Sequence, residues 1–483
     1  MSDATDRSGE GRRRRGAEPE GGSPAEIDAV DEVRAPGTTG RWLVLFGEDE
    51  AAVRAGTRAL SEAAGLRVAS AADFDGGAVD SEALAGAEAL VFPALGVAVT
   101  SAPPAQLRQL GARAAEETGI LAVEPERIVY ALEGGRLGGA APAPADAVPA
   151  SPAPGQNVAA EYLRAFQAGV NATVEHALAA AGLPGGGAAP GNIELAALPE
   201  TAFTWGLQVT NVAASQFSGR GVRVAVLDTG LDLGHPDFMG RAITAQSFIQ
   251  GQGVQDGHGH GTHCIGTACG PKQPGQSPRY GIAFNAEIFA GKVLSNEGSG
   301  ADGGILAGIN WAITNKCAIV SMSLGAPAVA GQSYSRIFET VALRALAQGT
   351  LIIAAAGNES SRPGVIAPVG HPANCPSILA VGALNAQLRV AAFSSGGINP
   401  QGGQVDIAGP GVAVRSSWPR PTLYRTISGT SMATPHVAGI AALHVEAQRG
   451  TMVGGALGWL LLQSSRRLEL PARDVGVGLV QAP

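Results

Sequence analysis

Apolar and polar positions divide the chain into stretches of different rhythm. From Met1 to about Gly40 the residues are polar, charged and glycine-rich with nothing periodic to bury. Ordering them would cost backbone entropy without return, so a disordered tail is expected over 1–40. W-L-V-L-F at Trp42–Phe46 reads as a strand, and a helix with Val53, Leu60 and Ala64 on one face follows. Two further strands are expected around Arg67 and Ala89. A second helix starts near Pro103 after Ser101, with Leu107, Leu110 and Ala114 at helical spacing, and I-L-A-V-E-P-E-R at Ile120–Arg127 closes the unit. The order βαββαβ predicts a small ferredoxin-like domain over 41–133. Residues 134–200 read as a Pro/Gly/Ala-rich linker, with one helix carrying Tyr162, Phe166, Val170, Val174 and Leu178.

From Thr201 the texture changes to near-continuous apolar strands alternating with helical patterns. The strands are V-R-V-A-V-L-D, E-I-F-A-G-K-V-L, A-I-V-S-M-S-L, L-I-I-A-A-A-G and I-L-A-V-G-A-L, and helices are expected near Ile305–Ile313 and Ile337–Leu346. This predicts an α/β domain over 201–483, doubly wound on a mostly parallel sheet covered by helices on both faces.

Charge and composition narrow the partners. Lys+Arg 33 against Asp+Glu 41 gives a net charge of −8, which argues against nucleic acid. Four cysteines are too sparse for a disulfide framework in 483 residues. No apolar run approaches the roughly 18 residues of a membrane span, Leu457–Leu462 coming nearest, so a soluble protein with no membrane partner is expected. Arg12–Arg15 have no apolar segment after them, so export is not supported and a cytoplasmic location is the default.

In a sheet of this kind reactive groups gather beyond the C-terminal ends of strands. Asp228 ends V-R-V-A-V-L-D, His260 lies in D-G-H-G-H-G-T-H-C, and Ser431 lies in G-T-S-M-A-T-P-H just before a helical pattern. A serine hydroxyl needs an imidazole to take its proton, and the imidazole needs a carboxylate to fix its tautomer. Each residue alone could be a turn or cap residue. His258, His260, His263 and Cys264 could also be read as zinc ligands.

Together the three segments resemble the Asp, His and Ser motifs of the subtilisin-like serine proteases, the subtilases, in that family's chain order. The resemblance runs from about Trp205 to D-V-G-V-G-L-V-Q-A near the end, roughly three-fifths of the chain. It implies a serine endopeptidase acting on polypeptides, with Asp228, His260 and Ser431 as the triad. Asn358 in A-A-A-G-N becomes the oxyanion donor, and Thr430 a helper through its hydroxyl. Gly298, Ser299 and Gly300 resemble the edge strand that pairs with substrate. Ser323, Leu324 and Gly325, with Ala355, Ala356 and Gly357, resemble the walls of the first specificity pocket, and Gly370 its floor.

The family resemblance also implies a zymogen whose own propeptide domain, here the βαββαβ unit, blocks the cleft. The maturation cut is expected between Gly185 and Thr201, with a cut near Leu132 as the alternative. Cys264 matches the cysteine beneath the histidine in the proteinase K-like branch. C-G-P-K-Q-P-G-Q-S-P-R-Y-G lacks the Asn/Asp-rich loop of a strong calcium site, whereas Asp406 with the carbonyls of Pro376 and Ile378 resembles a weak one. No cofactor is required for the chemistry, and a monomer is expected. Two rivals stay in view. An esterase would need G-x-S-x-G, which Gly429–Ala433 is not, and an inactive binding module of the same fold would keep the fold without the chemistry.

Overall fold

The computed structural model describes residues 37–79, 81–103, 106–107, 119–133 and 199–483. The predicted tail up to residue 36, most of the helix from Pro103, and the linker with its Tyr162–Leu178 helix lie outside the described residues.

The N-terminal unit is a sheet of β1 (Thr38–Phe46), β2 (Val68–Ser70), β3 (Ala89–Phe92), β4 (Val97–Thr100) and β5 (Ile120–Ala131), with helix α1 (Glu50–Arg58) between β1 and β2. The spatial order is β5-β1-β4-β3-β2. Two expectations are corrected. β1 begins at Thr38, inside the tail expected over 1–40. The strand near Arg67 is a three-residue edge strand parallel to β3, and the antiparallel partner of β3 is β4, which the sequence reading lacked. β4 is only V-A-V-T, four residues after β3, and such a short apolar run carries too little periodicity to stand out. With β2 set aside, β5-β1-β4-β3 is an antiparallel ferredoxin-like arrangement.

β1 is buried on both faces. Trp42, Val44 and Phe46 pack with Leu60, Leu107 and Val123 on one side. Leu43 and Leu45 turn the other way and join a core containing Ile305, Ile309, Phe338 and Val341. Those four belong to helices of the C-terminal domain, so one face of the N-terminal sheet is covered by that domain rather than by its own helices.

The C-terminal domain has a seven-stranded sheet in the order β14-β13-β12-β10-β6-β8-β7, every adjacent pair parallel. Its strands are β6 (Arg223–Asp228), β7 (Ile243–Ser247), β8 (Glu287–Lys292), β10 (Ile319–Met322), β12 (Leu351–Ala355), β13 (Leu379–Leu384) and β14 (Ile407–Pro410). Alternate side chains go to opposite faces. Ala225 and Leu227 face α3 (Asp302–Thr314) and α4 (Arg336–Ala347), while Val224 and Val226 face α2 (His260–Cys269) and α5 (Thr430–Ala447). Two short strands, β9 (Ser299–Ala301) and β11 (Leu324–Gly325), stand outside this sheet and flank β5. Among the described residues no helix is long and apolar enough to cross a membrane.

Candidate active site

Asp228 leaves the carboxyl end of β6, and His260 opens α2. The loops carrying them touch because glycines flank the histidine. Gly259 has φ +107°, and a Cβ on Gly261 would lie 2.3 Å from Gly230 O. Asp228 Oδ1 accepts from Thr229 N (2.7 Å) and pairs with His260 Nδ1 (2.8 Å), and both side chains are fully buried. Burial alone would lower the pKa of His260, but Asp228 and then Cys264 outweigh it and hold the imidazole well above its usual value.

Ser431 lies in the first turn of α5, where the helix dipole favours negative charge. Its Oγ donates to Ser323 O (2.9 Å), and Ser323 Oγ donates to Ser431 O (2.8 Å). No hydrogen bond joins Ser431 to His260, and buried His260 Nε2 has no partner among the described residues.

Asn358 follows β12. Its Oδ1 accepts from Thr430 N and Thr430 Oγ1 (2.9 Å each), which turns Nδ2 toward Leu132 O (2.8 Å). Thr430 therefore orients the Asn358 amide, and among the described residues no hydrogen bond joins it to the Leu132 carbonyl.

The last residues of β5 occupy the cleft as an extended peptide. Ile128, Val129 and Tyr130 pair antiparallel with Ala301, Gly300 and Ser299 on one side, and Tyr130 and Ala131 with Gly325 and Leu324 on the other. Ala131 N donates to Gly298 O (2.9 Å), and Leu132 N to Ser323 O (3.4 Å). The predicted edge residues Gly298–Gly300 and Ser323–Gly325 thus flank one peptide. Leu132 is mostly buried, and a Cβ on Gly325 would lie 3.3 Å from its Cδ1. Ala355, Ala356 and Gly357 run from the end of β12 to Asn358, and Gly370 N donates to Ala356 O (2.9 Å). A Cβ on Gly370 would meet Ala326 O at 2.7 Å, so glycine is required there by packing.

Cys264 lies beneath the histidine, its Sγ 3.8 Å from His260 Nδ1, and burial pushes its pKa up to about 11. A raised pKa keeps that thiol protonated near neutral pH, which disfavours it as a ligand or nucleophile. His263 Nε2 is hydrogen-bonded to Val414 O (3.1 Å), so the four residues of the zinc alternative do not converge. Asp406, half-buried before β14, accepts from Ala380 N (2.7 Å), and desolvation pushes its pKa up to about 7. Pro376 and Ile378 precede β13, whose strand pairs with β14.

Several contributing residues escaped sequence reasoning. In E-P-E of β5, Glu124 accepts from Ile337 N (3.1 Å) and Ser335 Oγ (2.6 Å) at the start of α4, and Glu126 accepts from Gly303 N (2.9 Å) at the start of α3. Arg127 N donates to Asp302 Oδ2 (3.0 Å), whose Oδ1 pairs with His371 Nε2 (2.9 Å). Two glutamates spaced i, i+2 on a strand were the available signal, since they share one face. Glu359, next to Asn358, accepts from Ser395 Oγ (3.0 Å), and burial raises its pKa.

Residues 219–478, 260 of the 483, match the subtilase family. Subtilisin E of Bacillus subtilis (strain 168) is 42% identical over 229 residues, covering 47% of this chain and 56% of that protein. Subtilisin DY of Bacillus licheniformis is 37% identical over 238 residues, 49% of this chain and 81% of the relative. An alkaline protease of Alkalihalobacillus alcalophilus is 39% identical over 243 residues, 50% and 58%. The chain thus spans little more than half the length of the first of these relatives.

Proposed function

The chain belongs to the subtilase family, and from that premise we propose that it is a serine endopeptidase made as a zymogen. The observation that carries this reading is the hydrogen bond from Asn358 Nδ2 to Leu132 O, at the end of a peptide held like an extended substrate. Ser431 Oγ attacks the carbonyl carbon of a residue seated as Leu132 is. The Oγ–C bond forms as the hydroxyl proton passes to His260 Nε2, and the carbonyl electrons move onto oxygen, where Asn358 Nδ2 meets the charge. Asp228 holds Nδ1 and stabilises the imidazolium. Collapse breaks the C–N bond, and His260 gives its proton to the leaving amine. Water then repeats the sequence against the acyl-enzyme and restores Ser431. Polypeptides are the substrates, and these steps need no cofactor.

In the same reading residues 37–132 form the inhibitory propeptide domain, and the maturation cut falls at Leu132–Glu133 rather than between Gly185 and Thr201. Three contacts of Leu132 and its neighbours support this: the Asn358 bond, the Ser323 bond and the paired strands. Once cut, a chain ending at Leu132 still fills the cleft as product. Asp406 is the candidate ligand of one weak calcium. A desolvated carboxylate with one backbone donor suits a cation, and a single carboxylate beside the carbonyls of Pro376 and Ile378 gives modest affinity.

A serine-directed fluorophosphonate should label the matured wild-type chain and leave Ser431→Ala unlabelled, as an unprocessed precursor. Failure of the wild type to label, as for an inactive binding module, or peptidase activity in Ser431→Ala, would overturn the reading.

A further inference from the structure

Of the three lysines in the chain, Lys272 and Lys316 are exposed and Lys292 has no exposed surface at all. A buried ammonium is costly unless it is paired and fully hydrogen-bonded. Lys292 ends β8, in register with Asp228 at the end of β6. Its Nζ donates to Thr229 O and to Asn296 Oδ1 (2.8 Å).

Thr229 is a junction. Its N–H donates to Asp228 Oδ1, and its Oγ1 donates to Asp256 Oδ1 (2.9 Å) and accepts from Gly261 N (2.8 Å). Asp256, itself buried, accepts from His258 N (3.0 Å), Gly259 N (2.8 Å), Thr262 N (2.9 Å) and Thr262 Oγ1 (2.7 Å). One network therefore ties the strand end that carries Asp228 to the first turn of the helix that carries His260. It holds two buried carboxylates and one buried ammonium.

The charge balance has a direct effect on the imidazole. The Asp228 carboxylate favours the protonated imidazole, the more so the less its charge is offset, and a protonated imidazole cannot accept the proton of Ser431. The groups around this network are Asp228 on β6, Asp256 in the loop before α2, His258 whose ring lies 6.2 Å from that of His260, Cys264 and His263 on α2, and Glu297 after β8. Among them Lys292 supplies the fixed positive charge.

We propose that Lys292 is a positioning residue for catalysis: its ammonium anchors the Asp228–Thr229 turn and offsets one buried carboxylate, so that His260 releases its proton and becomes a base at a lower pH than it would without the lysine. This rests on the endopeptidase reading above. It is tested with Lys292→Met in the full chain, following kcat and KM on a chromogenic peptide across about pH 5 to 10. The acid limb of kcat/KM should move up by about half a unit or more. At neutral pH kcat should fall while KM holds.

Asn296→Asp keeps the lysine and the acceptor for Gly257 N (3.0 Å) but places a carboxylate against the ammonium, and it should shift the limb the same way. An unmoved acid limb in Lys292→Met that still labels with fluorophosphonate would overturn the proposal. If Lys292→Met does not fold, an unmoved limb in Asn296→Asp does so instead. A wild-type chain that fails to label overturns the endopeptidase reading itself, which keeps the two failures distinct.

Discussion

Glu126 offers the sharpest test of how the N-terminal unit holds the cleft. Its carboxylate is fully buried and accepts from Arg41 Nε (2.8 Å), Arg41 Nη2 (2.7 Å), Thr39 Oγ1 and Gly303 N (2.9 Å). Only the last of these crosses between the unit and the C-terminal domain. It is charge-assisted, worth about 1.5–3 kcal/mol. It also sits at the N-terminus of the 13-residue α3, whose dipole adds about 0.3–1 kcal/mol. The Arg41 side chain is 26% exposed and can rehydrate, so its loss is discounted to about 1 kcal/mol or less and falls on the unit's own stability. Glu126→Ala should therefore weaken the contact by roughly 2–4 kcal/mol, a Ki about 30- to 1,000-fold higher. The assay titrates residues 37–132, made as a separate chain, against matured enzyme with a chromogenic peptide, and circular dichroism checks that the variant keeps its fold. Glu126→Gln, which keeps an acceptor and loses the charge, should fall between. A folded Glu126→Ala with Ki within about threefold of wild type would refute the energetic argument.

Three further outcomes follow from the same geometry. Asn358→Leu removes the Nδ2 donor and should lower kcat with KM nearly unchanged; loss of one such donor in a subtilisin costs about 2.7–4 kcal/mol, and a raised KM with kcat intact would reassign Asn358 to ground-state binding. Intact-mass and N-terminal analysis of the matured chain should find Glu133 first, and a start between Gly185 and Thr201 would remove Leu132 from the cut. Asp406 has a pKa raised from the ordinary carboxylate value to about 7, so without a cation its stabilising contribution is present below about pH 4 and is lost as pH rises through about 7. Calcium should then raise Tm in EDTA-stripped protein more at pH 8 than at about pH 5, and an equal rise at both, or its survival in Asp406→Asn, would refute the site.

The parallel sheet was legible because β6, β12 and β13 are buried on both faces over five or six residues, and only a sheet covered twice requires that. Asp228, His260 and Ser431 were legible as candidates for a related reason, since each stands at a strand end or helix start in a short glycine-rich segment, whereas Asn358 was reached only through the resemblance to the subtilases. The β3–β4 hairpin was hidden by brevity, and the rest by distance along the chain. W-L-V-L-F announces a strand buried on both sides, but nothing in its period says that Leu43 and Leu45 meet helices that begin more than 250 residues later. Glu124 and Glu126 read as a polar strand face until the starts of α4 and α3, 213 and 177 residues away, are brought against them. Lys292 reads as the ordinary charged end of a strand, and only its register with Asp228 makes it a buried cation beside two carboxylates. Sequence patterns report which surface must leave water. Which surface it meets is a matter of complementary shape, hydrogen bonding and charge between distant segments, and that is decided only when the chain is folded.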